Sequence, residues 1–279
     1  MHLKLPLSIL AAVILGAGST LAQDLACALK KIKDTGTITL GHRESSVPFS
    51  YYDDKQQIVG YAMDLCYRIV DAVKSELKLP KLEVKLNTVT SATRIPLIAN
   101  GTVDLECGST TNNLERQKQV SFTITHFVTS NRFVSKKAAH LNTVEDLRGK
   151  TIVSLSGTTN IRQIIEVNAQ KGLNLNILAA KEHAEAFLMM ETGRAAAFVM
   201  TSCSTVWWLA RSRRRITWSP PTPFRSSPTA SCCGAMTRPS RKSLIRRWLR
   251  LIAAARSMRS MTSGFSSRSR QKASISMCR

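Results

Sequence analysis

Three arginines and a scatter of hydroxyls carry the chemistry open to this chain. Arg43 follows a short β-branched run, Ser91 and Arg94 lie three residues apart, and Ser109 and Thr111 come shortly before Arg116. Further on, Ser156-Gly157-Thr158-Thr159 offers hydroxyls and backbone N–H groups, and His183 follows another apolar run. A guanidinium presents a planar fork of N–H donors that fits a carboxylate through two parallel hydrogen bonds. The pair strengthens when water is excluded. Three such forks facing hydroxyls and a helix N-terminus would suit a small ligand with two anionic groups. Singly, each residue has a plainer reading: a surface arginine, a helix cap at Ser91 or Thr111, a packed or capping His183. Their repeated placement at the ends of apolar runs sets them apart. No cofactor and no metal is expected.

The elements that must position these groups alternate. Residues 37–40, 82–86 and 103–106 read as strands, with a short one at 49–52, and 62–77 and 94–99 as helices. Leu65, Ile69, Val70 and Val73 recur at helical spacing. After a crossing near 127–134 the theme repeats, with strands at 151–155, 175–179 and 195–200 and helices at 161–169 and 184–192. Strand–helix alternation predicts parallel sheets flanked by helices. Two runs with a crossing predict two α/β lobes, 23–128 and 129–200, with a cleft between them. Such sheets bind ligands beyond the carboxyl ends of their strands, where Arg43, Ser91, Arg94, Ser109, Thr111, Arg116, Thr159 and His183 fall.

The two ends differ from this middle. Lys4, an apolar stretch over 5–16 and Thr20-Leu21-Ala22 read as an export signal, residues 1–22, cut near Ala22. The apolar run is too short to span a bilayer. Export would permit disulfides, but Cys27, Cys66 and Cys107 are an odd set whose pairing stays open. From Thr201 onward the chain has no Asp or Glu, and it holds 17 of the 40 Lys and Arg and all four Trp. The net charge of +22 therefore belongs mainly to residues 201–279. Like-charge repulsion and the lack of an apolar period predict a disordered segment that does not complete the sheets, although 244–255 could form a basic amphipathic helix.

The motifs then acquire a family. Gly41-His42-Arg43-Glu44-Ser45, Val59-Gly60-Tyr61-Ala62-Met63-Asp64-Leu65 and Arg94-Ile95-Pro96-Leu97 resemble the amino-acid-binding proteins of bacterial ABC importers. The stretch from Glu106 through Ser109-Thr110-Thr111 to Arg116-Gln117 narrows the resemblance to members that take glutamate and aspartate. Ser156-Gly157-Thr158-Thr159 and Ala180-Lys181-Glu182-His183 agree with that narrowing. The resemblance covers about residues 26–200 and implies the two-lobed type II periplasmic binding protein fold. It also implies a monomer, a periplasmic location and an ABC permease as partner. By it, Arg116 and Thr159 hold the α-carboxylate, and Arg43, Ser91, Arg94 and His183 the side-chain carboxylate. Ser109 and Thr111 accept from the ammonium, normally beside an Asp where this chain has Thr201. Stretches of 201–279 admit codon choices that give family-like sequence one base earlier, so a frameshift near Met200 is expected, leaving the second lobe and C-terminal helices incomplete. Two other functions stay open: a dehydratase-like enzyme on the same fold, or a basic tail binding nucleic acid or membrane. The export signal speaks against a nucleic-acid partner.

Overall fold

A computed structural model of the chain describes residues 20–201, 216–218 and 229–232, with side chains over 28–201. The described residues all belong to one compact unit, and residues 241–279 lie outside them. Residues 1–19 of the expected export signal and the helix at 244–255 also lie outside them, while Thr20-Leu21-Ala22 at the expected cut stand in the first helix.

The first lobe runs from helix α1 (Thr20–Thr35) through β1 (Thr37–His42), β2 (Ser45–Ser46), β3 (Ser50–Tyr52), β4 (Ile58–Val59) and α2 (Tyr61–Glu76). It continues with β5 (Glu83–Thr88), α3 (Arg94–Ala99), β6 (Leu105–Cys107), β7 (Thr110–Asn112) and α4 (Leu114–Gln117). β1 lies between β5 and β6 in a parallel sheet. Ile38 and Leu40, which share one face of this central strand, are fully buried, while Thr37 and Thr39 on the other face are half-buried. Helix α2 turns Cys66, Ile69, Val70 and Val73 inward. A disulfide from Cys66 to Cys107 ties that helix to the end of β6, pairing two of the three cysteines left open above.

The chain then crosses through β8 (Phe127–Thr129) and β9 (Asn131–Lys136) into β10 (Thr151–Leu155), α5 (Thr159–Lys171), β11 (Asn176–Ala180), α6 (His183–Glu191) and β12 (Ala197–Thr201). The second sheet has the order β11-β10-β12-β9, with β10 parallel to both neighbours and β9 antiparallel to β12. One cluster around Phe133, Ile152, Ile164 and Val199 packs one face, and another around Val153, Phe198 and Met190 packs the other. Helix α5 begins two residues before its expected start because the Thr158 side chain accepts from the Ile161 N–H and caps it. β3 falls on the short strand expected at 49–52, whereas β2, β4, β7 and α4 are too short to show a period in the sequence.

The segment after Thr201 requires a correction. It was expected to add nothing to the sheets, yet β13 (Ile216–Trp218) pairs antiparallel with β9. In addition, β14 (Thr229–Cys232) lies between β7 and β8. Ladder bonds join backbone N–H to backbone C=O, so an open strand edge accepts a partner almost regardless of its side chains. The composition argument weighed side chains alone and missed this. The remainder of 202–279 lies outside the described residues.

Candidate ligand-binding site

Most of the side chains expected from the sequence are held near a strand end or helix start, Thr111 being in the middle of β7. Arg43 leaves β1 and is completely buried. Its backbone N–H donates to Ser50 Oγ at 2.9 Å, and one Nη donates to Ser91 Oγ at 2.8 Å. Ser91 and Arg94 open α3, and both are almost fully buried. Arg94 Nη1 lies 3.8 Å from Glu106 Oε1, while Glu106 Oε2 accepts from Thr110 Oγ1 at 2.8 Å. Ser109 Oγ meets Ser46 Oγ at 2.9 Å. Asn113 caps α4 by accepting from the Arg116 N–H, which fixes that arginine's direction.

The two lobes touch directly at this place. Arg43 Nη2 donates to Glu182 Oε1 at 2.7 Å, and Ser45 Oγ donates to the other Glu182 oxygen at 3.2 Å. The Ala184 N–H donates back to Ser45 Oγ at 3.3 Å. Arg116 spans to the second lobe, donating to Gly157 O at 2.9 Å while its other Nη holds Thr111 O at 2.9 Å. Thr111 Oγ1 and Thr159 Oγ1 lie 3.2 Å apart. Gly157 has φ +70°, and a Cβ there would stand 2.6 Å from Ala92 Cα across the cleft. Only glycine allows that approach without displacement. The cleft is closed.

Between these contacts lies a cavity lined by Ser91, Arg94, Ser109, Thr111, Thr159 and His183 among the expected residues. Arg43 and Arg116 adjoin it through their bonds to Ser91 and Thr111. The lining also includes Leu155, Thr158, Asn160, Met200 and Thr201. Six of the eight expected residues thus line the cavity and Arg43 and Arg116 do not, while Ser46, Glu106, Asn160 and Glu182 were not named from the sequence. Glu182 stood inside a quoted motif, but its role emerges only when the lobes meet. Asn160 follows the capping Thr158, where an Asn in a first turn carries no distinctive signal.

Burial sets the charge state of the site. Desolvation pushes the Arg94 guanidinium down to about 9, opposed by Glu106 and assisted by Arg116 and Arg43. It therefore stays protonated at neutral pH. Arg116 is lowered for the same first reason, with Glu106 opposing and Arg162 assisting. His183 is driven well below the ordinary imidazole value by burial, then by Arg43 and Arg94. It enters the cleft as a neutral ring that can exchange a hydrogen bond without adding a cation.

Such an arrangement, two α/β lobes closed over a buried cationic and hydroxyl-lined cavity, defines a two-lobed solute-binding protein. The chain belongs to the bacterial extracellular solute-binding proteins, family 3, whose family model matches residues 38–261. It is 50% identical over 198 residues to the L-glutamate/L-aspartate-binding protein of Pseudomonas aeruginosa, covering 71% of this chain and 66% of that one. It is 44% identical over 222 residues to the glutamate/aspartate import solute-binding protein of Escherichia coli, covering 78% of this chain and 74% of that one. Among solved structures, a mutant of ArgBP from T. maritima superposes with a TM-score of 0.66 at 23% identity, covering 85% of this chain and 95% of the other. That likeness bears on the fold alone.

Proposed function

We propose that this chain captures an acidic amino acid, glutamate or aspartate, in the cleft and presents it to the permease of an ABC importer. The observation that carries this reading is a buried cavity lined by Arg94, Ser91, Ser109, Thr111, Thr159 and His183, with the buried Arg43 and Arg116 bonded to its lining residues Ser91 and Thr111. In this reading Arg116 and Thr159 take the α-carboxylate, and Arg43, Ser91, Arg94 and His183 the side-chain carboxylate. The relatives named above support the ligand class. The chain acts by closure rather than by chemistry, as a periplasmic monomer freed of residues 1–22, with no nucleic-acid partner.

Calorimetry on the full chain with L-glutamate, L-aspartate and L-glutamine tests the reading. Binding of both acids, with glutamine weaker by at least about tenfold (~1.4 kcal/mol), is the expected result. Arg94→Gln should abolish detectable binding. Equal binding of glutamine, or none of the acids bound by a folded chain, would overturn it. We also propose that the acid-free segment after Met200 is translated out of frame. The composition break supports this, and resequencing across that codon tests it, an intact frame being the contrary result.

A further inference from the structure

The cavity that would take a dicarboxylate offers no anion to an ammonium group. None of its lining residues is Asp or Glu. Two carboxylates stand nearby, and both are engaged by the protein's own groups. Glu106 accepts from Thr110 and faces Arg94. Glu182 accepts from Arg43 and Ser45. Asp104, the other buried acid among the described residues, is bound by Lys31 and by the Thr39 N–H, away from the cavity lining. Residues 192–279 bring no acidic side chain, because the last Asp or Glu in the sequence is Glu191.

An ammonium placed here would meet only neutral acceptors. Ser109 Oγ already shares a hydrogen bond with Ser46, and Thr111 Oγ1 shares one with Thr159. Arg94 lies in the lining, where Glu106 acts on it most strongly, then Arg116 and Arg43, then Glu182. A ligand ammonium becomes a fourth cation in a desolvated space, where an unpaired charge loses more on leaving water than hydroxyls return. A carboxylate of the same ligand meets the Arg94 guanidinium, whose Nε and Nη1 have no hydrogen-bond partner, and gains.

From this juxtaposition we infer that the site takes four- and five-carbon dicarboxylates lacking an α-ammonium at least as tightly as the matching amino acids. The inference rests on the proposed reading of the cleft as a dicarboxylate site and specifies which ligand groups contribute affinity. Thr201, at the end of β12 and in the lining, is where a carboxylate would change the outcome.

Calorimetry on the full chain compares two pairs matched in carbon number: glutarate with L-glutamate, and succinate with L-aspartate. The expected result is a dissociation constant for each diacid equal to or below that of its amino counterpart. An amino acid binding about tenfold tighter than its diacid would overturn the inference while leaving the dicarboxylate site intact. Failure of all four ligands to bind a chain that is folded by circular dichroism would instead refute the site itself, and the inference with it. Thr201→Asp should raise the amino-acid preference by about tenfold or more. A folded variant with an unchanged ratio would also count against the inference, and the wild-type comparison decides the matter if that variant does not fold.

Discussion

Glu182→Gln probes the lobe-to-lobe contact with the least change of shape. Glu182 is the carboxylate paired to Arg43, whose side chain is fully buried while that of Glu182 is 15% exposed. Removing one partner of a buried ion pair leaves an uncompensated charge and costs about 3–5 kcal/mol. Glutamine keeps one acceptor for the Arg43 N–H, while its amide NH2 replaces the oxygen that accepts from Ser45, and its site is partly exposed, so the cost falls just below that range, at about 2–3 kcal/mol. For a chain of this size each kcal/mol shifts Tm by about 2–4 °C, giving a fall of roughly 5–10 °C in the ligand-free protein. A dicarboxylate bound in the cavity brings a new anion to Arg43, so saturating L-glutamate or glutarate should narrow the gap between variant and wild type. Thermal denaturation by circular dichroism, with and without ligand, measures both effects. A ligand-free fall of less than about 2 °C would show that Arg43 does not depend on Glu182 for its compensation and would refute the reasoning.

Replacing Cys66 and Cys107 with Ala opens a bridge across 41 residues, which chain entropy values at about 4 kcal/mol. Urea unfolding should show a loss of that size, and an unchanged midpoint would contradict it. Gly157→Ala places a Cβ against Ala92 and Ser91 O at a positive φ, so closure is obstructed. Calorimetry should show at least about tenfold weaker ligand binding with the far-ultraviolet spectrum preserved. Acid should destabilise the fold through His126, which burial holds down to about 4, and through His183, lowered well below its usual value first by burial. Unfolded histidines take a proton below about 6.5 and these folded ones do not, so their contribution is full above that pH. It is lost as pH falls toward the folded values, by up to about 1.4 kcal/mol per unit for each ring. Urea midpoints between neutral pH and pH ~5 check this, and a flat profile would refute it.

Most of the framework was legible because long-range order in α/β lobes repeats a local pattern. Helix α3 and strand β10 fall on the residues read from the sequence, since apolar periodicity and strand length are properties of neighbouring residues. The eight candidate site residues could be named for the same reason: a residue at a strand's carboxyl end stands at the sheet's edge whatever else the fold does. The two strands after Thr201 were not legible, because they are recruited by open backbone edges of β7, β8 and β9 rather than by their own side chains.

What the sequence determined by itself was the kind of groups present and their order, including the absence of any acid beyond Glu191. Which carboxylate answers which guanidinium was decided only in three dimensions. Arg43 and Glu182 are 139 residues apart, and Arg116 reaches Gly157 across 41. No periodicity encodes such pairings, because they exist only once the lobes close and water leaves the cleft, making each buried charge seek a partner.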